Sequence, residues 1–382
     1  MPPTRARSTA PGKIILFGEH AVVYGQPALA VPVTQVQAVA TILPAPARRA
    51  PSAPLQGGFA QDGGDVSPEA KRSGEGELWI EALNVGRRYQ LSHAALDDVL
   101  AAAVRLTCAH IGAPVPAGVV LSIDSTIPIA SGLGSGAAVC TAIIRALAEY
   151  LGHPISNSQI SNLVFQTEQI LHGAPSGIDN TVIAYGQPVY FVKGQPPVPF
   201  TVAQPFRLLI GDTGLASLTK IAVGDVRAGW QKEPERYEKI FVAIGGIARQ
   251  TRAIIEGPQT LESVLKRSPT ASPRLAEGPV LSEAEGTRTL SELKDAFLET
   301  FRVLGDLMNR NHALLQQLDV SCPELDALVS AARDAGALGA KLSGGGRGGN
   351  MLALVTDDTE QAVRAALERA GAKGVIGTTV NA

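Results

Sequence analysis

Three glycine-rich segments lie far apart in this chain: Pro11-Gly12-Lys13 near its start, Gly132-Leu133-Gly134-Ser135-Gly136-Ala137-Ala138 in the middle, and Gly344-Gly345-Gly346-Arg347-Gly348-Gly349 near its end. A residue without a Cβ lets backbone N–H groups come close to an anion. The central segment follows the apolar run Val119 to Ile123 and opens a long apolar helix. Its bare N–H groups and the positive helix end can therefore face one polyphosphate together. A fold that gathers all three segments is what the sequence demands, and it points to a site for ATP.

Composition removes the main competitors. With 382 residues and 45% apolar content the chain can bury a large core and should divide into about two domains. Its net charge of −2, from 33 basic and 35 acidic residues, leaves no basic face of the kind nucleic acid requires. Cys108, Cys140 and Cys322 are too few and too scattered for a disulfide framework or a zinc site, and they read as buried small hydrophobes. Met1 to Ala10 carries arginines with no apolar run behind them, and no stretch of about 18 apolar residues occurs. No membrane partner is expected, and a cytoplasmic small-molecule enzyme is the default.

Along the chain, Ile14 to Phe17 and Ala28 to Val33 read as short strands joined by a polar turn. Residues 44–76 are rich in Pro, Ala, Gly and Ser and read as a long loop. Leu96 to Ile111 returns to helical spacing, with Leu96, Val99, Leu100, Val104 and Leu106 on one face. Ala137 to Leu151 is apolar almost all round and predicts a buried helix. A second helix is expected from about Ser158 to Leu171, and strands at Val182 to Tyr185, Val189 to Val192 and Phe206 to Ile210. Residues 257–290 lose all pattern and read as an inserted, poorly ordered loop. These breaks divide the chain into 5–195 and 196–382.

Two dinucleotide-binding patterns are decoys. Gly132, Gly134 and Ala137 match G-x-G-x-x-A, but the helix behind them runs past Glu149 with no second strand ending in an acid. Gly344, Gly346 and Gly349 match G-x-G-x-x-G, but a strand follows instead of a helix. No G-x-x-x-x-G-K-[ST] loop occurs.

The run Ala10 to Gly25, the loop Pro128 to Ala138, and Lys341-Leu342-Ser343 with the glycines behind it resemble the three motifs of the GHMP kinases. Gly18-Glu19-His20-Ala21-Val22-Val23 and Pro175-Ser176-Gly177-Ile178-Asp179-Asn180 resemble the mevalonate kinase branch. The resemblance spans nearly the whole chain outside the two low-complexity stretches. It implies an α+β fold, with an N-terminal domain similar to the second domain of ribosomal protein S5, including a left-handed crossover, and a ferredoxin-like C-terminal domain. ATP and substrate would meet in the cleft between them. The implied reaction is phosphorylation of the C5 hydroxyl of (R)-mevalonate with ATP and Mg²⁺, an early step toward isoprenoids. A homodimer is left open.

The residues carry roles that the resemblance sharpens. Asp179 alone would read as a turn or cap residue; the resemblance makes it the group that accepts the alcohol proton, with Lys13 as its cationic partner. Glu168, and Ser135 in the central loop, are the implied Mg²⁺ ligands. Pro128, Gly132, Leu133, Gly134, Ser135, Gly136 and Ala137, with Gly345, Gly346 and Arg347, are the implied nucleotide-binding residues. Glu19, His20 and Thr219 are implied on the substrate side, with His20 meeting a carboxylate or hydroxyl. His172, four residues beyond Glu168, reads as structural. Two departures stand out: Gly136 lacks the hydroxyl of the family's second serine, and Arg347 and Asn350 stand where glycine and cysteine are common. Another kinase of the family, for phosphomevalonate, homoserine or a sugar, and a sensor that binds ATP without turnover, remain as alternatives.

Overall fold

The computed structural model describes residues 5–45, 77–129, 131–172, 175–217, 219–257 and 290–381. Strands β1 (Ala6–Phe17) and β2 (Ala28–Pro44) form a long antiparallel pair around a 3-10 turn at Ala21–Tyr24. Next come β3 (Leu78–Ala82), β4 (Arg87–Gln90), α1 (Val99–Ile111) and β5 (Val119–Ser125). The N-terminal unit closes with α2 (Ser135–Leu151), α3 (Asn157–His172), α4 (Ile178–Tyr185), β6 (Val189–Phe191) and β7 (Val198–Pro199). Its strands lie in the order β4-β3-β5-β2-β6-β7, with β1 also paired to β2. β3 and β5 are parallel, so the chain crosses between them through α1.

The helix α2 is the spine of this unit. Ten of its positions, among them Ala137, Ala142, Ile143, Ile144 and Leu147, are buried, because α2 packs on β1 and β2 and is covered by α1 and α3. It begins at Gly134 (φ 74°) and ends at Gly152 (φ 72°), both in the left-handed region that only glycine enters without strain.

The second unit holds β8 (Phe206–Asp212), α5 (Thr219–Lys232), α6 (Pro234–Glu256), α7 (Leu290–Gln317), α8 (Pro323–Asp334), β9 (Gly339–Ser343), β10 (Asn350–Val355), α9 (Glu360–Arg369) and β11 (Gly374–Val380). Its antiparallel sheet runs β11-β8-β10-β9. In order of appearance this is 4-1-3-2, with helices after the first and third strands, which is the ferredoxin-like arrangement.

Several sequence expectations are corrected. Val182 to Tyr185 is the end of helix α4, not a strand: a four-residue apolar run fits either, and the left-handed glycines Gly177 and Gly186 that bound it decide for a helix. The first two strands are much longer than their apolar cores, since backbone pairing continues through the Ser, Thr and Gln positions. Leu96 is 92% exposed and precedes α1, which starts only after its cap at Asp98. β7 pairs with β6, and β8, the first strand of the other sheet, begins at Phe206. The expected loop at 44–76 and insertion at 257–290 lie mostly outside the described residues.

The Asp98 carboxylate accepts hydrogen bonds from the backbone N–H groups of Leu100 and Ala101, both at 3.0 Å. Asp98→Ala should therefore lower unfolding stability by about 1 kcal/mol. Urea denaturation checks this, and turnover measured well below the melting point should be unchanged.

Candidate functional site

The three glycine segments meet. The Lys13 N–H donates to the Leu133 carbonyl at 2.9 Å, which fastens β1 to the central loop. The Asn350 amide donates to the Ser131 carbonyl at 2.6 Å, which fastens the third segment to the same loop. Ser131 is itself turned back on the Pro128 carbonyl at 3.0 Å. Leu133 and Ala137 are buried beneath the loop, while a Cβ at Gly132 or Gly344 would meet nothing within 4 Å. Both glycines border open space, Gly132 just before the N-terminus of α2, where Ser135 and Gly136 supply the first helical N–H groups. The chemistry suits an oligophosphate.

Behind this cradle sits an ion pair, Lys13 Nζ to Asp179 Oδ1 at 3.0 Å. Lys13 is buried and Asp179 keeps 31% of its side chain exposed, so the carboxylate can meet a substrate while the lysine cannot leave it. Gly134 is required here, because a Cβ at this position would lie 3.1 Å from Lys13 Cγ and 2.8 Å from Ile183 Cδ1. Asp179 stands in the first turn of α4, where the helix dipole favours a negative charge. Its neighbour Asn180 anchors the turn by donating to the Ser161 carbonyl and hydroxyl at 3.0 and 2.9 Å.

Glu168 is buried, not a residue of the polar face that Gln166 and Gln169 suggest. Burial, and secondarily the negative charge of Asp179, push its carboxyl up to about 7, with Lys13 opposing. Among the described residues no three His, Cys, Asp or Glu side chains cluster as a metal site. The two carboxylates and the Ser135 hydroxyl are a donor set of hard oxygens that suits Mg²⁺ only with phosphate oxygens and water completing it.

On the expected substrate side the structure divides the residues. Glu19 is 1% exposed and its carboxylate is spent on a fully buried ion pair with Lys341, with the Asn311 amide donating to its second oxygen at 3.2 Å. It therefore holds the first motif to β9 instead of facing a ligand. Burial pushes the Lys341 ammonium down, and Glu19 opposes that shift. Lys341 was visible in the third motif, but no sequence signal tells a buried lysine from a solvated one.

His20 is also buried, and its backbone is strained at φ 59°, ψ −50°. Its Nε2 lies 3.0 Å from the Gly345 carbonyl, which can only accept, so Nε2 carries the proton. Burial pushes the imidazole down to about 4. The neutral ring then offers Nδ1 as an acceptor, which suits a hydroxyl and not a carboxylate. Thr219 is exposed at the start of α5 and packs on Gly345, where a Cβ would overlap it.

Arg347, expected on a phosphate, is committed elsewhere. It pairs with Asp225 of α5 and donates to the Asp319 carbonyl at 3.1 Å and carboxylate at 3.4 Å. Two carboxylates offset its charge, and its left-handed φ of 54° fixes the third loop against the turn after α7. Cys108 and Cys140 are buried, Cys322 is partly so, and none is in a disulfide.

The chain is similar to known proteins in sequence and in fold. Residues 97–187 match the model of the GHMP kinases N terminal domain, and 293–373 that of the GHMP kinases C terminal. The mevalonate kinase of Thermococcus gammatolerans is 34% identical over 371 residues, covering 94% of this chain and 92% of that protein. The mevalonate kinase of Pyrococcus horikoshii is 33% identical, covering 91% and 88%. Among solved structures, L. major mevalonate kinase in complex with R-mevalonate superposes with a TM-score of 0.71 at 25% identity, covering 100% of this chain and 98% of that one.

Removing one partner of the buried pair strands the other charge. Lys341→Met should lower stability by about 3–5 kcal/mol, and adding Glu19→Gln should restore part of that loss; thermal melts of the single and double variants decide it. Glu168 gives a pH-dependent expectation for the chelator-treated protein without nucleotide. Its folded value of about 7 lies above the ordinary carboxylate range, so the folded state binds the extra proton and stability falls as pH rises from about 4.5 to 7. Glu168→Gln should raise the melting temperature at pH 8, equivalent to about 2–3 kcal/mol, with the gain gone by pH 4.

Proposed function

We propose, because the chain belongs to the mevalonate kinase branch of the GHMP kinase family, that it transfers the γ-phosphoryl group of ATP to the primary C5 hydroxyl of (R)-mevalonate. One observation carries the reading: the Lys13–Asp179 pair at 3.0 Å stands at the foot of the cradle made by the three glycine segments.

An alcohol and an oligophosphate brought together there would react as follows. The alcohol oxygen attacks the γ-phosphorus in line, its proton passes to the Asp179 carboxylate, and the bond to the ADP oxygen breaks. Lys13 holds that carboxylate in one orientation, and its charge offsets the alkoxide character developing beside it. Backbone N–H groups at the start of α2 face the phosphates, with Gly132 and Gly344 leaving the room they need. Glu168 and Ser135 would hold Mg²⁺, which would supply charge neutralisation at the phosphates; Gly136 would contribute no hydroxyl to it. His20 accepts a hydrogen bond from a substrate hydroxyl, and the Thr219 hydroxyl closes the site from the start of α5, where it packs against the third loop. A cytoplasmic location is part of the proposal, for a reaction between two anionic solutes; no described helix is long and apolar enough to cross a membrane.

Incubation with ATP, Mg²⁺ and (R)-mevalonate should give ADP and a phosphate monoester on C5 by phosphorus NMR, with galactose and homoserine inert. Asp179→Asn should cut turnover by roughly 10²–10⁴ while ATP affinity stays near normal. Binding of both ligands without ADP release would make the chain a sensor, and turnover only with 5-phosphomevalonate would move it to the next kinase in the family.

A further inference from the structure

Arg145, in the middle of α2, is a partly buried cation with no carboxylate within ion-pair distance among the described residues. Its guanidinium donates instead to two backbone carbonyls, Nη1 to Thr9 at 3.1 Å and Nη2 to Ala184 at 2.7 Å. Desolvation pulls its pKa down, with nothing offsetting the shift. A cation placed against carbonyls in a poorly solvated position costs stability that an apolar side chain would not. The two carbonyls explain its placement. Thr9 lies on β1 four residues before Lys13, and Ala184 lies on α4 five residues after Asp179.

Between Thr9 and Lys13 the β1–β2 ladder breaks. Pro11 pairs with Gln37, but the next residue, Gly12, pairs with Val33, so β2 bulges by three residues. Lys13 itself pairs with Pro32 beyond the break, so the run that carries Thr9 and the run that carries Lys13 are two ladders whose relative position the bulge leaves to other contacts. Two bonds from the α2 segment bracket the break: Arg145 to the Thr9 carbonyl on one side, and the Lys13 N–H to the Leu133 carbonyl on the other. The second arm of Arg145 ties the last turn of the eight-residue helix α4 to the same frame, where a cation also suits the helix dipole.

We infer that Arg145 is a positioning residue for phosphoryl transfer: by bridging the strand that carries Lys13 and the helix that carries Asp179, it sets the geometry of that ion pair relative to the glycine cradle. The inference rests on the reading of Asp179 as the group that accepts the alcohol proton. A displacement of about 1 Å at reacting atoms lowers turnover by about 10²-fold without loss of ligand affinity.

The test compares Arg145→Met, which keeps the stem and removes both donors, with Arg145→Lys, which keeps the charge and can reach one carbonyl. Turnover is measured well below each melting point on enzyme confirmed to be folded. Arg145→Met should lower kcat by about 10- to 100-fold with KM for ATP and mevalonate within threefold of the parent, and Arg145→Lys should fall between. In an Asp179→Asn background Arg145→Met should cost less than threefold, because the geometry it protects is already without function. If Arg145→Met does not fold, Arg145→Lys decides: a loss of threefold or more in kcat at unchanged KM supports the inference, and parental kcat overturns it. A variant with a lowered melting temperature but parental kcat overturns it as well, leaving Arg145 a structural tie. Parental turnover in Asp179→Asn alone would instead remove the reading of Asp179, a result distinct from either.

Discussion

The hydrogen bond from the Lys13 N–H to the Leu133 carbonyl is the contact on which the site depends. It joins the first strand to the loop that opens α2, and two glycines leave room for it. A Cβ at Gly12 would stand 3.3 Å from that carbonyl, and one at Gly134 would press on the stem of Lys13. With both absent, the lysine reaches its position beneath the cradle already paired with Asp179. Close approach of backbones thus places the Lys13–Asp179 pair, and packing of α2 against the sheet keeps it there.

The two units are joined by a second kind of contact. The fully buried Glu19–Lys341 pair, the His20 to Gly345 hydrogen bond and the Ser343 hydroxyl on the Ile15 carbonyl at 2.9 Å all run between the first motif and the segment from β9 into the third loop. A buried ion pair adds little net stability over an apolar contact, but it tolerates little misalignment, since a displaced charge is left unpaired. His20, in a strained backbone conformation, is held from both sides by these bonds. The third glycine loop and His20 consequently share one rigid connection.

The local chemistry was legible wherever it depends on near neighbours. Gly152 stops its helix as a residue that enters the left-handed region can, and the apolar run from Ala137 to Leu151 reads as a buried helix. The three glycine segments imply a common site because no other arrangement explains so many bare backbone positions, and the motif around Asp179 places a carboxylate at a helix start. By contrast, Val182 to Tyr185 is too short for its periodicity to separate strand from helix, and only the glycines on either side and its packing on α3 resolve it.

What the sequence determined by itself is the inventory: an α+β kinase scaffold, three glycine loops, and Lys13, Glu168 and Asp179 as charged groups with work to do. What only the tertiary structure decided is who meets whom. Glu19 and Lys341 are 322 positions apart and neutralise each other, Arg347 is drawn to Asp225 and Asp319 instead of opening toward a phosphate, and Arg145 reaches carbonyls 136 and 39 positions away. A sequence records the sign and reach of a charged side chain, but not its distance from every other charge or the water it loses on burial. Those two quantities fix its role, and they exist only once the chain is packed.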